Sequence, residues 1–245
     1  MRQWCLSIGL AVCLAAGLAG CGSEAPSPAP SEEVAAPENV PVMGPERPIL
    51  AFGDSLFAGY NVEQAQAYPA KLELALRAQG INARVANGGV SGDTSAAAAQ
   101  RFAFTLDNQP AVPQLVIVEL GGNDLLRGLS PVETRANIAA ILKELKARGI
   151  PALLMGMRAP PNLGADFQRE FDRIYPDLAK EYGAALVPFF LEPVYDKPDL
   201  LQDDKIHPTP QGIEELVAAT SGAVARALPE VSGREAKGAG LAAPE

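Results

Sequence analysis

The sequence predicts an α/β fold in which a parallel sheet is covered by helices on both faces. Short apolar runs alternate with longer amphipathic segments over about 180 residues, which is the pattern of repeated strand–helix units in one domain. The composition, 48% hydrophobic and 20% charged residues in a chain of 245, is that of a globular protein. It excludes a disordered chain and a coiled coil.

Five short apolar runs are predicted as strands. The clearest is rich in β-branched residues and is bounded by Pro113 and Gly121, as expected of a strand buried on both faces. The five strands are Ile49–Phe52, Ala83–Val85, Leu115–Leu120, Ala152–Met157 and Ala185–Val187.

Four longer segments are predicted as helices because their apolar residues recur every three or four positions. Two of them end next to a glycine, Gly80 or Gly149, which is a common helix stop. The four helices are Tyr68–Gln79, Pro131–Arg148, Ala165–Tyr182 and Gln211–Leu228.

The beginning of the chain has the pattern of a secretory signal, residues 1–20. Arg2 precedes an apolar run from Leu6 to Ala19, which is too short for a comfortable membrane span. The run ends in Leu18-Ala19-Gly20-Cys21, which resembles a bacterial lipobox. This resemblance implies cleavage before Cys21 and lipidation of that residue. A plain signal peptide and a buried hydrophobic helix are the alternatives.

A lipidated Cys21 would place the protein in the bacterial cell envelope, where several acyl chains on one residue hold a protein stably to a membrane. We expect it to face the periplasm, from the outer membrane rather than the inner one. The other cysteines, Cys5 and Cys13, lie in the segment to be removed. The mature chain would then have neither a disulfide nor a free thiol.

Residues 21–47 are predicted to form a linker between this anchor and the domain. The segment is rich in proline and glutamate and has no aromatic residue, so it cannot bury enough apolar surface to fold. Extended at about 3.1 Å per residue, it could hold the domain roughly 80 Å from the membrane. The domain itself is predicted at residues 48–228, followed by a Gly/Ala-rich tail at 229–245.

The charge of the chain restricts its partners. The 29 acidic and 20 basic residues give a net charge of −9, which disfavours a nucleic-acid partner. We expect a monomer that acts on small molecules.

Polar and glycine-rich segments follow three of the predicted strands, where ligands bind in open α/β sheets. A serine in such a turn could act as a nucleophile, glycines let backbone N–H groups approach a ligand, and an amide side chain can donate a hydrogen bond. The ordinary alternative for each segment is helix capping or turn formation. The segments are Gly53–Leu56, Asn87–Thr94 and Gly121–Asp124.

A fourth polar segment, Asp204–Pro208, lies near the end of the domain and contains His207, the only histidine of the chain. A serine nucleophile needs an adjacent base, and imidazole is suited to this because its pKa is near neutrality. A turn can bring Asp204, three residues earlier, back onto the ring to fix its tautomer. Pro208 restricts the backbone of His207. Asp203 is a less favourable alternative to Asp204.

The residue types argue against a metal site. One histidine and no free thiol make zinc unfavourable. A calcium or magnesium site using Asp203 and Asp204 stays open, although no loop has the usual periodic acidic ligands. The phosphate-loop, dinucleotide and Gly-x-Ser-x-Gly patterns are absent from the sequence. We therefore expect no zinc site and no cofactor bound through a phosphate-loop or dinucleotide fingerprint.

The four segments, taken together and in order, resemble the SGNH (GDSL) hydrolase family. The resemblance covers almost the whole domain, and Val118–Asp124, Tyr175-Pro176 and Pro188–Phe190 are most similar to the bacterial thioesterase I, lysophospholipase and arylesterase subgroup. It implies a flavodoxin-like three-layer α/β/α sandwich with five parallel strands in the order 2-1-3-4-5.

The resemblance also implies a serine hydrolase that needs no cofactor. Ser55 would be the nucleophile, His207 the base and Asp204 the acid that orients it. The oxyanion would be bound by the N–H groups of Ser55 and Gly92 and by the side-chain amide of Asn123. Asp93, Asp124 and Arg127 are interpreted instead as helix caps and loop braces.

The expected substrates are short- to medium-chain esters and thioesters, with a lysophospholipid as a further possibility for an enzyme near a bilayer. The loop Arg158–Gly164 and the residues after Ser55 are predicted to line the acyl pocket. Two alternatives remain at this stage. One is a carbohydrate O-deacetylase of the same fold, although the only tryptophan, Trp4, lies in the signal. The other is a non-catalytic envelope lipoprotein.

Overall fold

The structure, a computed structural model, describes residues 42–230. The predicted signal peptide, the lipidation site Cys21, most of the predicted linker and the tail from residue 231 lie outside the described residues. No helix within residues 42–230 combines the length and the apolar character needed to cross a membrane.

The centre of the domain is a sheet of five parallel strands in the order β2-β1-β3-β4-β5. This confirms the predicted strand order. β1 and β3 occupy the middle of the sheet and are almost entirely buried, which explains their continuous apolar sequences. The strands are β1 (Arg47–Gly53), β2 (Ala83–Gly89), β3 (Leu115–Glu119), β4 (Ala152–Met155) and β5 (Ala185–Val187).

Eight α-helices flank the sheet within the described residues. α2 packs against α8, while α3 packs against α5 and α5 against α7, so that two groups of helices cover the two faces and the predicted three-layer sandwich is confirmed. The helices are α1 (Ser55–Ala58), α2 (Tyr68–Ala78), α3 (Ser95–Asp107), α4 (Gly122–Leu126), α5 (Pro131–Ala147), α6 (Ala165–Asp172), α7 (Ile174–Tyr182) and α8 (Pro210–Ala227).

A buried aromatic cluster fixes the short helix α1 to the rest of the domain. Phe57 of α1 stacks on Tyr68 of α2 with ring centroids 5.0 Å apart, and Phe190 meets both rings edge-on. All three side chains are fully buried, and burial of one such side chain stabilises a fold by about 1.5–3 kcal/mol. The Tyr68 hydroxyl forms a hydrogen bond of 2.6 Å with Thr220 of α8. A helix of one turn is therefore held rigidly.

β2 is longer than predicted and includes the first residues of the glycine-rich segment. The prediction ended this strand at Val85, but pairing with β1 continues to Gly89. The glycines are needed for packing here. A Cβ atom at Gly89 would lie 2.3 Å from the backbone nitrogen of Ala58, so only glycine lets α1 approach the strand this closely.

The single helix predicted at Ala165–Tyr182 is wrong, because the structure has two helices that meet at Arg173. Pro176 gives the reason. It has no N–H to bond the carbonyl of Asp172, and its ring would clash with that carbonyl in a continuous helix. In the first turn of α7 the same proline is tolerated.

The prediction also omitted α3. The Thr94 hydroxyl accepts a hydrogen bond from the N–H of Ala97 at the start of this helix, which is the capping alternative noted for that segment. Ala98, Phe102 and Leu106 form its buried face. Their four-residue spacing was a usable signal.

Candidate active site

The turn between β1 and α1 presents Ser55 at the carboxyl edge of the sheet. Asp54 caps the helix, since its Oδ1 atom accepts a hydrogen bond of 3.1 Å from the N–H of Leu56. The helix ends after one turn at Gly59, which adopts a left-handed conformation at φ 85°. Ser55 is the first residue of α1 and is 8% exposed.

Ser55, His207 and Asp204 form a continuous hydrogen-bonded chain. The Ser55 Oγ and His207 Nε2 atoms are 2.8 Å apart. On the other side of the ring, Nδ1 lies 2.7 Å from Oδ2 of Asp204. The first of these contacts joins residues 152 positions apart in sequence. The fold therefore brings together the three side chains that the sequence analysis selected.

Asp204 is held as a carboxylate. Burial alone would raise its pKa, but hydrogen bonds from the backbone and ring of His207 and from the Ile206 N–H outweigh this effect and lower the pKa of Asp204 to about 2. Its Oδ1 atom accepts both backbone N–H bonds, at 2.9 and 3.0 Å, which leaves Oδ2 for the imidazole. Asp204, not Asp203, is the carboxylate that contacts the ring.

The loop carrying His207 is fastened on both sides. The N–H of Gln202 donates to the His207 carbonyl at 2.8 Å, and the Gln202 side-chain amide donates to the carbonyls of Tyr60 and Pro208, both at 2.9 Å. Tyr60 stacks on the imidazole with ring centroids 4.2 Å apart. These contacts limit the rotation of the ring. Neither Tyr60 nor Gln202 was selected from the sequence.

Asn123 lies beside the nucleophile turn, at the start of α4. Its side-chain Nδ2 atom donates to Oδ2 of Asp54 at 3.1 Å, and the second hydrogen on Nδ2 remains to serve as a donor. The preceding turn requires glycine at position 121, where φ is 106° and a Cβ atom would lie 2.3 Å from the Tyr175 hydroxyl. Ser55 and Asn123 line the same cleft.

Gly92 lies in the loop between β2 and α3, with φ at 85°. Its carbonyl accepts a hydrogen bond of 2.9 Å from Arg127. Among the described residues that line the cleft, Ser55 and Asn123 are present and Gly92 is not. The structure thus places two of the three predicted oxyanion donors on the cleft itself, and Arg127 braces the loop of the third.

Asp93 and Asp124 act as structural braces. Asp93 forms an ion pair of 2.6 Å with Arg101. The buried Asp124 carboxylate accepts from the N–H of Ser95 at 2.8 Å and from the Thr134 hydroxyl at 3.0 Å, which ties the start of α3 to α5.

Glu119, the last residue of β3, is an acid that the sequence analysis did not select. Its side chain is fully buried, and its Oε2 atom accepts only a long hydrogen bond of 3.4 Å from the N–H of Asp54. Burial, followed by the charge of Asp54, raises the pKa of Glu119 well above its usual value. A single carboxyl group in an otherwise apolar strand was the available sequence signal.

A cleft of about 470 Å³ opens in front of Ser55 and Asn123. Its wall is mainly apolar and includes the predicted loop, through Arg158, Pro160, Asn162 and Leu163. The remaining apolar lining residues come from α1, α4 and the segments after β4 and β5: Leu56, Leu125, Leu126, Met157, Phe189, Leu191, Tyr195, Leu201 and Ile206. Such a surface fits an acyl chain or an aromatic group.

Within residues 42–230 no group of three or more histidine, cysteine, aspartate or glutamate side chains is arranged to hold a metal ion. The arrangement of Ser55, His207 and Asp204 is suited to nucleophilic attack. An imidazole that contacts a hydroxyl with one nitrogen and a carboxylate with the other can remove the hydroxyl proton as the oxygen attacks an acyl carbon.

Comparison with known protein families and sequences gives a consistent result. The model of the GDSL-like lipase/acylhydrolase family matches residues 51–214. The thioesterase 1/protease 1/lysophospholipase L1 of Escherichia coli K12 is 43% identical over 160 residues, which cover 65% of this chain and 74% of the relative. The arylesterase of Vibrio mimicus is 39% identical over 173 residues, which cover 69% of this chain and 86% of the relative.

Solved structures are similar in the same region. The crystal structure of AlinE4, an SGNH-hydrolase family esterase, is 68% identical, covers 77% of this chain and all of its own, and has a TM-score of 0.65. The crystal structure of TesA is 36% identical, covers 74% of this chain and all of its own, and has a TM-score of 0.70. AlinE4 has also been solved with a serine or an aspartate replaced by alanine, at positions as far apart as Ser55 and Asp204 are here.

Proposed function

Because the chain belongs to the GDSL-like lipase/acylhydrolase family and is a serine esterase of the arylesterase, thioesterase and lysophospholipase type, we propose that Ser55, His207 and Asp204 carry out its reaction. The observation that supports these roles most strongly is the 2.8 Å contact between Ser55 Oγ and His207 Nε2. The chain has only one histidine, so no other imidazole can serve as the base.

In the proposed first step, His207 removes the proton of the Ser55 hydroxyl as its oxygen attacks the acyl carbon of an ester or thioester. Asp204 holds the ring in the tautomer whose Nε2 atom can accept that proton, and it stabilises the imidazolium that forms. His207 then gives the proton to the leaving alkoxide or thiolate. The product of this step is an acyl group bound to Ser55.

The negative charge on the tetrahedral intermediate is proposed to be met by the N–H groups of Ser55 and Gly92 and by the amide of Asn123. Each such donor is typically worth about a hundred- to a thousandfold in rate. Of the three proposed donors, Asn123 has the strongest structural support, because its side chain lies on the cleft and its amide is held by Asp54. Water, activated by His207, then releases the acid, and the reaction needs no cofactor.

The apolar cleft supports short- to medium-chain carboxylic esters and thioesters as substrates. A lysophospholipid is a further candidate if the domain is held near a bilayer. The names of the relatives favour these substrates over the sugar esters of an O-deacetylase. The contact between nucleophile and base likewise favours an enzyme over a non-catalytic binding protein.

The proposed function is tested by the hydrolysis of p-nitrophenyl esters from acetyl to palmitoyl. We expect the highest kcat/KM at a short or medium chain, and a loss of roughly 10³-fold or more in Ser55→Ala. Ser130→Ala, at an exposed serine whose side chain makes no capping hydrogen bond, is the matched control and should behave as the wild type. A maximum at palmitoyl would contradict the chain-length proposal. Full activity of Ser55→Ala would contradict the catalytic one.

We further propose that Cys21 is lipidated and anchors the domain to the envelope membrane on the periplasmic side, the outer membrane being the expected one. The support is the Leu18–Cys21 motif in the sequence. In bacterial fractionation, the wild type should sediment with membranes and Cys21→Ala should be released, with unchanged kcat on a soluble ester. Cys13→Ala is the control, since that residue lies in the predicted signal. Equal sedimentation of wild type and Cys21→Ala would contradict the anchor.

A further inference from the structure

Two buried acidic residues, Asp54 and Glu119, lie at the turn that carries Ser55. Asp54 follows β1, and Glu119 ends the neighbouring strand β3. Both side chains are buried, with exposed fractions of 2% and 0%, and the N–H of Asp54 lies 3.4 Å from Oε2 of Glu119. Two buried carboxylates on neighbouring strand ends repel each other unless one of them carries a proton.

The partners of each group indicate which one carries the proton. The Asp54 carboxylate accepts from the N–H of Leu56 at 3.1 Å and from the Asn123 amide at 3.1 Å, and donors of this kind favour its charged form. Glu119 accepts one long hydrogen bond from the backbone at Oε2, and its buried Oε1 atom has no hydrogen-bond partner. A buried carboxylate oxygen without a donor is costly, so the neutral form is the stable one at Glu119.

We propose that Glu119 is a positioning residue, whose neutral carboxyl donates a hydrogen bond to Asp54 and thereby holds that carboxylate between the first turn of α1 and the side chain of Asn123. Glu119 does not touch the substrate. It acts through Asp54, which fixes both the helix that carries Ser55 and the amide that meets the oxyanion. This role builds on the proposed function and adds a residue to it.

The space around the pair supports a fixed geometry. A Cβ atom at Gly53 would lie 2.8 Å from Oε2 of Glu119 and 2.7 Å from its backbone oxygen, so the strand end and the acid are in close contact. No ordinary rotation of the Glu119 side chain can bring it to solvent, because the strand is buried on both faces. The carboxyl group is therefore confined beside Asp54.

The other titratable and charged groups near the pair include two tyrosines, His207 and Arg101, whose guanidinium donates to the Gly53 carbonyl at 3.0 Å. Tyr68 of α2 and Tyr175 of α7 face Glu119, and His207 faces Asp54. Burial raises the pKa of both phenols, which keeps them neutral in the working range of pH. Burial and the Asp54 charge also raise the pKa of Glu119 well above its usual value, so this group stays neutral to a higher pH than an exposed glutamate.

Raising the pH should weaken the contact between Glu119 and Asp54. When the pH rises through the pKa of Glu119, a second negative charge forms beside Asp54, the donated hydrogen bond is lost and the two carboxylates repel each other. The orientation of Asn123 is then lost, and kcat falls. A glutamine at this position keeps a donor and cannot ionise.

The test compares kcat and KM of the wild type, Glu119→Leu and Glu119→Gln on one soluble p-nitrophenyl ester. We expect Glu119→Leu to lower kcat roughly tenfold to a hundredfold with little change in KM, as for a buried hydrogen bond to a charged group. Glu119→Gln should restore most of that loss. Glu133→Gln, at an exposed glutamate of α5, is the matched control.

A pH series decides between positioning and a purely structural role. As the pH is raised from the acid to the alkaline side through the pKa of Glu119, the ratio of wild-type kcat to that of Glu119→Gln should fall. A constant ratio, equal loss in Glu119→Gln and Glu119→Leu, or a folded Glu119→Leu with wild-type kcat would each overturn the proposal. If Glu119→Leu does not fold, Glu119→Gln and its pH profile still decide. An inactive wild type would refute the proposed function instead.

Discussion

At the scale of single residues, the site depends on groups whose charge is set by their neighbours. Asp204 is fixed as an anion by three hydrogen bonds that lower its pKa to about 2, against the effect of burial. Glu119 accepts only one long N–H bond, and burial raises its pKa. The pKa values of the two acids thus shift in opposite directions because Asp204 is supplied with several short hydrogen bonds and Glu119 is not.

The low pKa of Asp204 has a consequence for the acid side of the pH profile. Asp204 stays ionised until the pH approaches about 2, so loss of the Asp204 charge should not limit activity above that pH. Since the pKa of Asp204 is depressed on folding, its carboxylate stabilises the fold above the unfolded value of about 3.9. This contribution is lost as the pH falls toward about 2.

Replacing the orienting acid should therefore affect the chemical step. We expect Asp204→Asn to lower kcat roughly 10³- to 10⁴-fold with a small effect on KM, because the amide no longer favours the reactive tautomer of His207. Steady-state kinetics at neutral pH provide the measurement. Asp203→Asn, the adjacent exposed acid, should retain wild-type kcat. A larger loss in Asp203→Asn than in Asp204→Asn would reverse the assignment.

The residues that react could be selected from the sequence because their chemistry needs particular side chains. A lone histidine with an aspartate three residues before it, and a serine and an asparagine after strands, were the signals, and the family resemblance assigned their roles. The residues that support them could not be found in this way. Tyr60 contacts Gln202 and His207 only because the chain folds back over more than a hundred residues.

At the scale of secondary-structure elements, the one-turn helix α1 determines where Ser55 points. It is held from one side by the Phe57, Tyr68 and Phe190 rings and from the other by β2, where glycine lets the helix approach. The shortest α-helix of the described residues thus has some of the closest packing.

The packing of α1 on β2 is tested by Gly89→Ala. Its new Cβ atom would lie 2.3 Å from the Ala58 nitrogen, so α1 must shift, and we expect the free energy of unfolding to fall by about 1–3 kcal/mol. kcat should fall as well, because Ser55 moves with α1. Urea denaturation and ester hydrolysis are the measurements.

The matched control for this variant is Gly222→Ala in α8. There the new Cβ atom meets only the end of the flexible Arg226 side chain, at 3.4 Å. Alanine is also favoured over glycine in a helix by roughly 0.5–1 kcal/mol. This variant should be as stable as the wild type or more so. Equal stability of both variants would show that the close approach at Gly89 is not required.

The errors in the predicted elements have physical causes. Ala165–Tyr182 has apolar residues at helical spacing throughout, and only the geometry of Pro176 divides it. β2 continues into a segment with the composition of a loop. Its glycines have no side chain, so α1 can pack closely against the strand there. Local patterns located the strands and the helices α2, α5 and α8, while tertiary contacts decided where they end.

At the scale of the whole molecule, the fold brings the start and the end of the domain together. Ser55 follows the first strand, and His207 lies just before the last helix, yet both reach the carboxyl edge of the sheet. Parallel strands place every strand-following turn on that edge. The place of Ser55 and Asn123 could be predicted for this reason, and the strand order followed from the family resemblance. The shape of the cleft depends on loops whose conformation no local pattern specifies.

The central claim, that His207 activates Ser55 across the sheet edge, is tested most directly by covalent labelling with a fluorophosphonate followed by intact-mass and peptide analysis. The wild type should gain one adduct, mapped to Ser55, while Ser55→Ala should gain none and His207→Ala should react far more slowly. An adduct on another residue, or labelling of Ser55→Ala or His207→Ala at the wild-type rate, would contradict it.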